Sequence, residues 1–176
     1  MSRRSAARDV ATAGMMIAVI EALKLAMQGL PNIEMTSFLL ILFTLHFGRL
    51  TLLTVPALIL IEGTLYGFGL WWVMYVYAWP LLTLVTHLCR KNDSAFFWAI
   101  ISGAYGLLFG LLCSFPYFFI GASAGGAMMG LRQMLAWWVA GIPFDLLHGA
   151  GNFALMLALY KPVSSLLRRL PQIVSH

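Results

Sequence analysis

The chain has 176 residues, of which 61% are hydrophobic and 10% charged, with a formal net charge of +5. A soluble domain carries about 25% charged residues to face water. This composition therefore excludes an ordinary soluble enzyme, a nucleic-acid-binding module and a disordered chain. It predicts an integral membrane protein, a single domain over residues 1–176, with room for six or seven helical crossings of about 20 residues each.

The first apolar run, from about Asp9 to Gly29, follows Arg3, Arg4 and Arg8. It is long for a secretion signal, contains Glu21 and Lys24 and lacks a cleavage site, so it reads as an uncleaved first helix. Leu30-Pro31-Asn32 is a turn signal. The second span, from about Met35 to Phe47, is short for a full crossing; it is either tilted or continues through Gly48 and Arg49. The third runs from about Leu50 to Tyr66 and is closed by Gly67-Phe68-Gly69. The fourth runs from about Trp71 to Cys89 and ends at Arg90-Lys91-Asn92-Asp93. The fifth runs from about Ala95 to Ile120, followed by a flexible loop at Gly121–Gly126. The sixth runs from about Met128 to Tyr160, with a kink expected at Pro143. The long uninterrupted apolar runs disfavour a barrel, whose strands alternate with period two. The expected fold is thus an all-α bundle of six transmembrane helices.

Six spans put both termini on one side. With them lie Arg3, Arg4, Arg8, Arg49, Arg90, Lys91, Lys161, Arg168 and Arg169, nine of the eleven basic residues. The positive-inside rule makes that side, and both termini, cytoplasmic. Cys89 and Cys113 show neither metal spacing nor a disulfide pattern.

Ionisable groups inside apolar spans are costly and face the protein interior or a cavity. Glu21, Glu62 and Asp145 are of this kind. Glu21 and Lys24, spaced i, i+3, either satisfy each other or take part in substrate binding. Trp138, Gly141, Asp145, His148 and Asn152 share one helical face, which serves either as a packing network or as part of a ligand cavity. Trp72, Tyr75 and Trp79 share another face, and Tyr117 and Trp137 lie toward the same outer end. These aromatics form either an interfacial belt or the wall of an outward-opening pocket. Arg132 and Gln133 can grip a polar group of a ligand, or Arg132 can snorkel to headgroups. Gly14, Ala18, Ala22 and Ala26, each four apart, let a second helix approach closely, within the chain or in a partner. No P-loop, HExxH or GxSxG sequence occurs, so no ATP hydrolysis by this chain is expected.

Six short helices, a small-residue stripe on the first, the loop Leu30-Pro31-Asn32-Ile33-Glu34 and the last-helix run from Gly141 to Phe153 together resemble the substrate-binding S components of energy-coupling factor (ECF) transporters. The resemblance covers essentially the whole chain, although Gly14 makes the small-residue motif loose. It implies a non-enzymatic subunit, without a resident cofactor or metal, in the plasma membrane of a prokaryote. Such a subunit binds a vitamin from outside and works with a transmembrane T component and two cytosolic ATPase subunits. It implies a binding site drawn from Asn32, Trp72, Tyr75, Trp79, Tyr117, Arg132, Gln133, Trp137 and Asp145, and docking of the T component on Gly14, Ala18 and Ala22. Cobalamin is the ligand expected first, with pantothenate, pyrimidine precursors and queuosine precursors as alternatives. Two other readings are an intramembrane enzyme using Asp145, His148 and Asn152, and a ligand-free membrane assembly subunit.

Overall fold

The computed structural model describes residues 3–169, with side chains from residue 6 onward. The side chains of Arg3 and Arg4, counted above among the basic residues, and the chain's two ends lie outside that description. Among the described residues the structure is all-helical. It comprises α1 (Arg3–Ala26), α2 (Thr36–Phe47), a short 3-10 turn (Gly48–Leu50), α3 (Thr51–Tyr66), α4 (Leu70–Cys89) and α5 (Ala95–Arg169). Three helical stretches are long and apolar enough to cross a membrane: Thr36–Tyr66, Leu70–Cys89 and Ala95–Arg169.

Helix α2 is the centre of the bundle. Every residue from Thr36 to Thr44 is buried, and Phe38, Leu40, Ile41 and Leu42 are fully so. A helix apolar all round is stable only when covered all round, and α4 and α5 supply most of that cover. This accounts for its 12 residues, which are too few to cross a bilayer alone. Gly48, at φ +53°, ends it. The chain then reverses: Met16 meets Thr54 and Lys24 meets Glu62, so α3 runs alongside α1 in the same direction. A hydrogen bond from Trp72 Nε1 to the Ile59 carbonyl (2.7 Å) ties α4 back onto α3.

Helix α5 is 75 residues long and bends back on itself. Its backbone leaves helical geometry only at Gly125 and at Gly126, where φ is +79°. Two arms result, residues 95–124 and 127–169. The loop expected over Gly121–Gly126 is therefore shorter than its composition implied. Around unpaired backbone groups apolar surroundings offer no water, so the helix keeps its hydrogen bonds until glycine makes the reversal sterically free. The backbone also stays helical through Pro143 and continues past Tyr160 and Pro162.

A seam of glycines joins the arms. A Cβ at Gly106 would lie 2.8 Å from the Gly149 backbone, and one at Gly103 would lie 3.1 Å from the Phe153 Cβ. Where lipid surrounds helices there is no hydrophobic drive between them, so such close van der Waals approach is what holds them together. The surface turned outward is rich in large apolar side chains, among them Leu52 (75% exposed) and Leu88 (72%).

Polar contacts mark the two ends of the bundle. Arg49, Arg90, Lys91, Arg168 and Arg169 sit at one end, by the α2–α3 turn, the α4–α5 turn and the close of α5. There Asp93 accepts hydrogen bonds from Arg168 (2.7 Å) and Tyr160 (2.9 Å). The other end holds the α1–α2 connection, the α3–α4 turn and the Gly125–Gly126 reversal.

Candidate functional site

At that second end, α1 stops at Ala26 and an irregular connection carries the chain to Thr36. Asn32 adopts φ +55° there, a left-handed conformation that asparagine tolerates better than most residues. The connection forms one side of a cleft of about 230 Å³. Lys24, Asn32 and Glu34 line it from α1 and the connection; Tyr75 and Trp79 line it from α4; Phe109, Asp145 and His148 line it from the α5 arms. A second cavity of about 280 Å³ adjoins it, sharing Lys24, Gln28 and Tyr75 and adding Glu62, Tyr66 and Trp71.

Four of the nine expected binding residues, Asn32, Tyr75, Trp79 and Asp145, meet in the first cleft. Tyr75 and Trp79 stack with ring centroids 4.2 Å apart, as i, i+4 neighbours on a helix do. Trp71 continues the ladder, edge-on to Tyr75 at 5.4 Å. Trp72 does not share this face. It turns toward α3, bonding Ile59 and meeting Phe68 edge-on, and so serves the α3–α4 hairpin.

The remaining four line neither cavity. Tyr117 and Trp137 stack on each other across the two arms, 4.9 Å apart. Gln133 lies exposed beside Gly121, and Arg132 is exposed. Asp145 sits opposite Gly110 at cleft level. Trp137 is about two helical turns further along the arm, and Arg132 further still, because the helix runs on through residues where a loop was expected.

The Asp145 stripe does face inward. Asp145, His148 and Asn152 are 7%, 6% and 1% exposed. Asp145 Oδ1 accepts a hydrogen bond from the Gly110 amide (2.9 Å), and a side chain at Gly110 would occupy the carboxylate's place. Asn152 donates weakly to the Ser102 carbonyl (3.4 Å). Phe109 meets the His148 ring edge-on at 5.1 Å. His148 Nε2 lies 3.6 Å from Glu34 Oε1, too far for a hydrogen bond. Among the described residues neither Asp145 Oδ2 nor His148 Nε2 has a hydrogen-bond partner. No group of three or more His, Cys, Asp or Glu residues there could hold a metal ion.

The charges pair differently from the local expectation. Lys24 bonds Glu62 across α1 and α3, while Glu21 accepts from the Tyr66 hydroxyl at 3.4 Å. Lys24, for which the sequence left a binding role open beside local pairing, lines the cleft, and Glu34, Gln28 and Phe109 belong to it although the sequence assigned them no binding role. The available signal was position: Glu34 directly follows the Leu30-Pro31-Asn32-Ile33 turn, at the same end of the bundle as the aromatic-rich α4 start.

Gly14, Ala18 and Ala22 are exposed on α1, and a Cβ at Gly14 would touch nothing within 4 Å. The chain packs its own helices with a different set of small residues, the α5 glycines. No family model, characterised protein or solved structure matches the chain.

Proposed function

We propose that this chain is a membrane-embedded substrate-binding subunit of the ECF S-component type, capturing a vitamin-sized molecule for an importer powered by other subunits. In this reading α1, α3, α4 and the two arms of α5 are full spans, and α2, too short to span lipid on its own, is a sixth, short crossing held inside the cover of α4 and α5; the basic end faces the cytoplasm by the positive-inside rule. The observation that carries it is the cleft. It combines stacked aromatics, unpartnered buried polar atoms and convergent charged groups at the end opposite the basic residues. A mostly preformed concavity with a few placed polar groups is the usual form of a small-molecule site.

Each cavity is far smaller than a corrinoid. Of the ligands the resemblance implies, the reading therefore favours those the size of one or two rings over cobalamin. The outward stripe of Gly14, Ala18 and Ala22 supports the docking role: a smooth small-residue face that the chain itself leaves uncovered suits close approach by a T-component helix. The two cytosolic ATPases would then supply the energy.

The test is a thermal-shift screen of the purified, detergent-solubilised chain against a vitamin panel without ATP. A ligand that binds only the folded state stabilises it by RT ln(1 + L/Kd), where L is the free ligand concentration, and so raises the melting temperature. One compound raising it at micromolar concentration is expected. A folded protein whose melting no vitamin moves would overturn the reading, as would vitamin uptake by this chain with the T component and ATPases deleted.

A further inference from the structure

Resting on the binding-subunit reading, the charge balance of the cleft identifies the kind of ligand. We infer that the cleft selects a cationic ligand: a flat ring bearing a protonated nitrogen, held between Glu34 and Asp145 against the Tyr75–Trp79 stack.

The cleft has one lysine, but its charge is already used. Lys24 is bonded to Glu62, which is 2% exposed at its side chain, so the pair is neutral toward anything bound beside it. Two carboxylates then remain without a lysine or arginine partner among the described residues. Asp145 is nine-tenths buried, its Oδ1 accepts from the Gly110 amide, and its Oδ2 has no partner in hydrogen-bond geometry among the described residues. Glu34 is 30% exposed at its side chain, and the nearest basic side chain, the His148 imidazole, stands off at 3.6 Å. A buried carboxylate oxygen without a donor is costly. A ligand N–H group placed there removes that cost, whereas a ligand carboxylate or phosphate adds like-charge repulsion.

The aromatic wall points the same way. Ring faces carry negative quadrupole potential and attract cations within about 6 Å, and Tyr75, Trp79 and Phe109 line the cleft with the carboxylates. Arg132, the side chain suited to gripping an anion, is exposed and lines neither cavity. Nothing in the first cleft beyond Lys24 and His148 can oppose a ligand's positive charge.

The experiment measures thermal shift and dissociation constant for the purified full chain and for Glu34→Gln and Asp145→Asn. The probes are grouped by charge: thiamine and pyridoxamine as cations, pyridoxine and riboflavin as neutral rings, pantothenate, biotin and 4-pyridoxate as anions. Both substitutions keep side-chain volume, and Glu34 is partly exposed, so at least that variant retains the fold. A cation that stabilises the wild type, with its dissociation constant weakened about tenfold or more in each variant, is the expected result. Stabilisation by a neutral or anionic probe only, or by a cation equally in all three proteins, overturns the cation assignment and leaves the binding-subunit reading standing. No stabilisation by any probe overturns the cation assignment, and the binding-subunit reading falls with it when the full vitamin panel also leaves the melting temperature unmoved.

Discussion

Adding a single methyl group at Gly106 tests whether the glycine seam holds the α5 arms together. The Cβ of a Gly106→Ala variant would lie 2.8 Å from both Cα and N of Gly149 and 2.9 Å from the His148 carbonyl carbon, where ordinary contacts begin at 3.4 Å. All three neighbours are backbone, so no side chain can swing away, and the arms must separate by about 0.6 Å or more. Overpacking of this kind costs about 1–3 kcal/mol. Alanine recovers about 1 kcal/mol of helix propensity over glycine; because every close neighbour is backbone, the overpacking falls in the upper part of its range, about 2–3 kcal/mol, leaving a net loss of roughly 1–2 kcal/mol. For a chain of this length that corresponds to a melting temperature lower by about 3–6 °C. The assay is thermal unfolding of the purified protein in detergent, followed by tryptophan fluorescence. Gly14→Ala is the control, because its Cβ meets nothing within 4 Å; it is expected to melt at or slightly above the wild type. A Gly106→Ala protein as stable as the wild type, or one indistinguishable from Gly14→Ala, would refute the seam.

Lys24→Met leaves the Glu62 carboxylate buried without its cation, and losing one partner of a buried pair costs about 3–5 kcal/mol. Adding Glu62→Gln is expected to restore much of that in the same melting assay; a double variant no more stable than Lys24→Met would count against the pairing. Ala18→Trp with Ala22→Trp alters only an exposed face. Monomer stability is expected to stay within about 0.5 kcal/mol while co-isolation with the T component is lost, and assembly that survives would remove this face from the docking proposal. At the basic end, hydrogen bonds from Arg168 and Tyr160 hold the Asp93 carboxyl below its usual range. A lowered folded value means that its contribution is present at neutral pH and is lost as pH falls through that value. Because Asp93 is 67% exposed at its side chain, Asp93→Asn should cost less than about 1 kcal/mol at pH 7. The gap between the two melting temperatures should close below about pH 4; a gap that persists or widens in acid would contradict the assignment.

Much of the helical layout was legible because it depends on local signals. Pro31, the Gly67–Gly69 turn and the Arg90–Asp93 run each end a helix near where their chemistry predicts, and Asp145, His148 and Asn152 fall on one inward face because their spacing is helical. Two kinds of information were not local. Gly121 to Ala124 have loop composition, yet the helical hydrogen-bond ladder of the arm runs on through them and outweighs their poor propensity, so only Gly125 and Gly126 break. Partner choice was the other. Glu21 is a good i, i+3 partner for Lys24, and nothing in one helix's periodicity reveals that α3 brings Glu62 to it instead. The same holds for the site: Trp72 and Trp71 differ by one position on α4, and which one faces the adjoining cavity depends on the rotation of α4 against α3. Tyr117, Arg132, Gln133 and Trp137 missed the cleft because their depth along the arms depended on where the chain reversed.

The cleft is built from two unlike materials. Its floor, Asp145 and His148, rides on arms locked backbone to backbone at Gly106 and Gly149. Its opposite side, residues 27–35, is an irregular connection whose internal backbone bonds include only short-range ones such as Leu30 to Met27 (2.8 Å) and Ile33 to Leu30 (3.3 Å). Local opening free energies track such differences, so amide hydrogens of the connection should exchange orders of magnitude faster than those of the arms. Any ligand gripping Glu34 must then stiffen that connection, and the ordering entropy is subtracted from the affinity it would otherwise reach. Tight binding in this cleft would therefore register as slowed amide exchange in residues 27–35, with the floor unchanged.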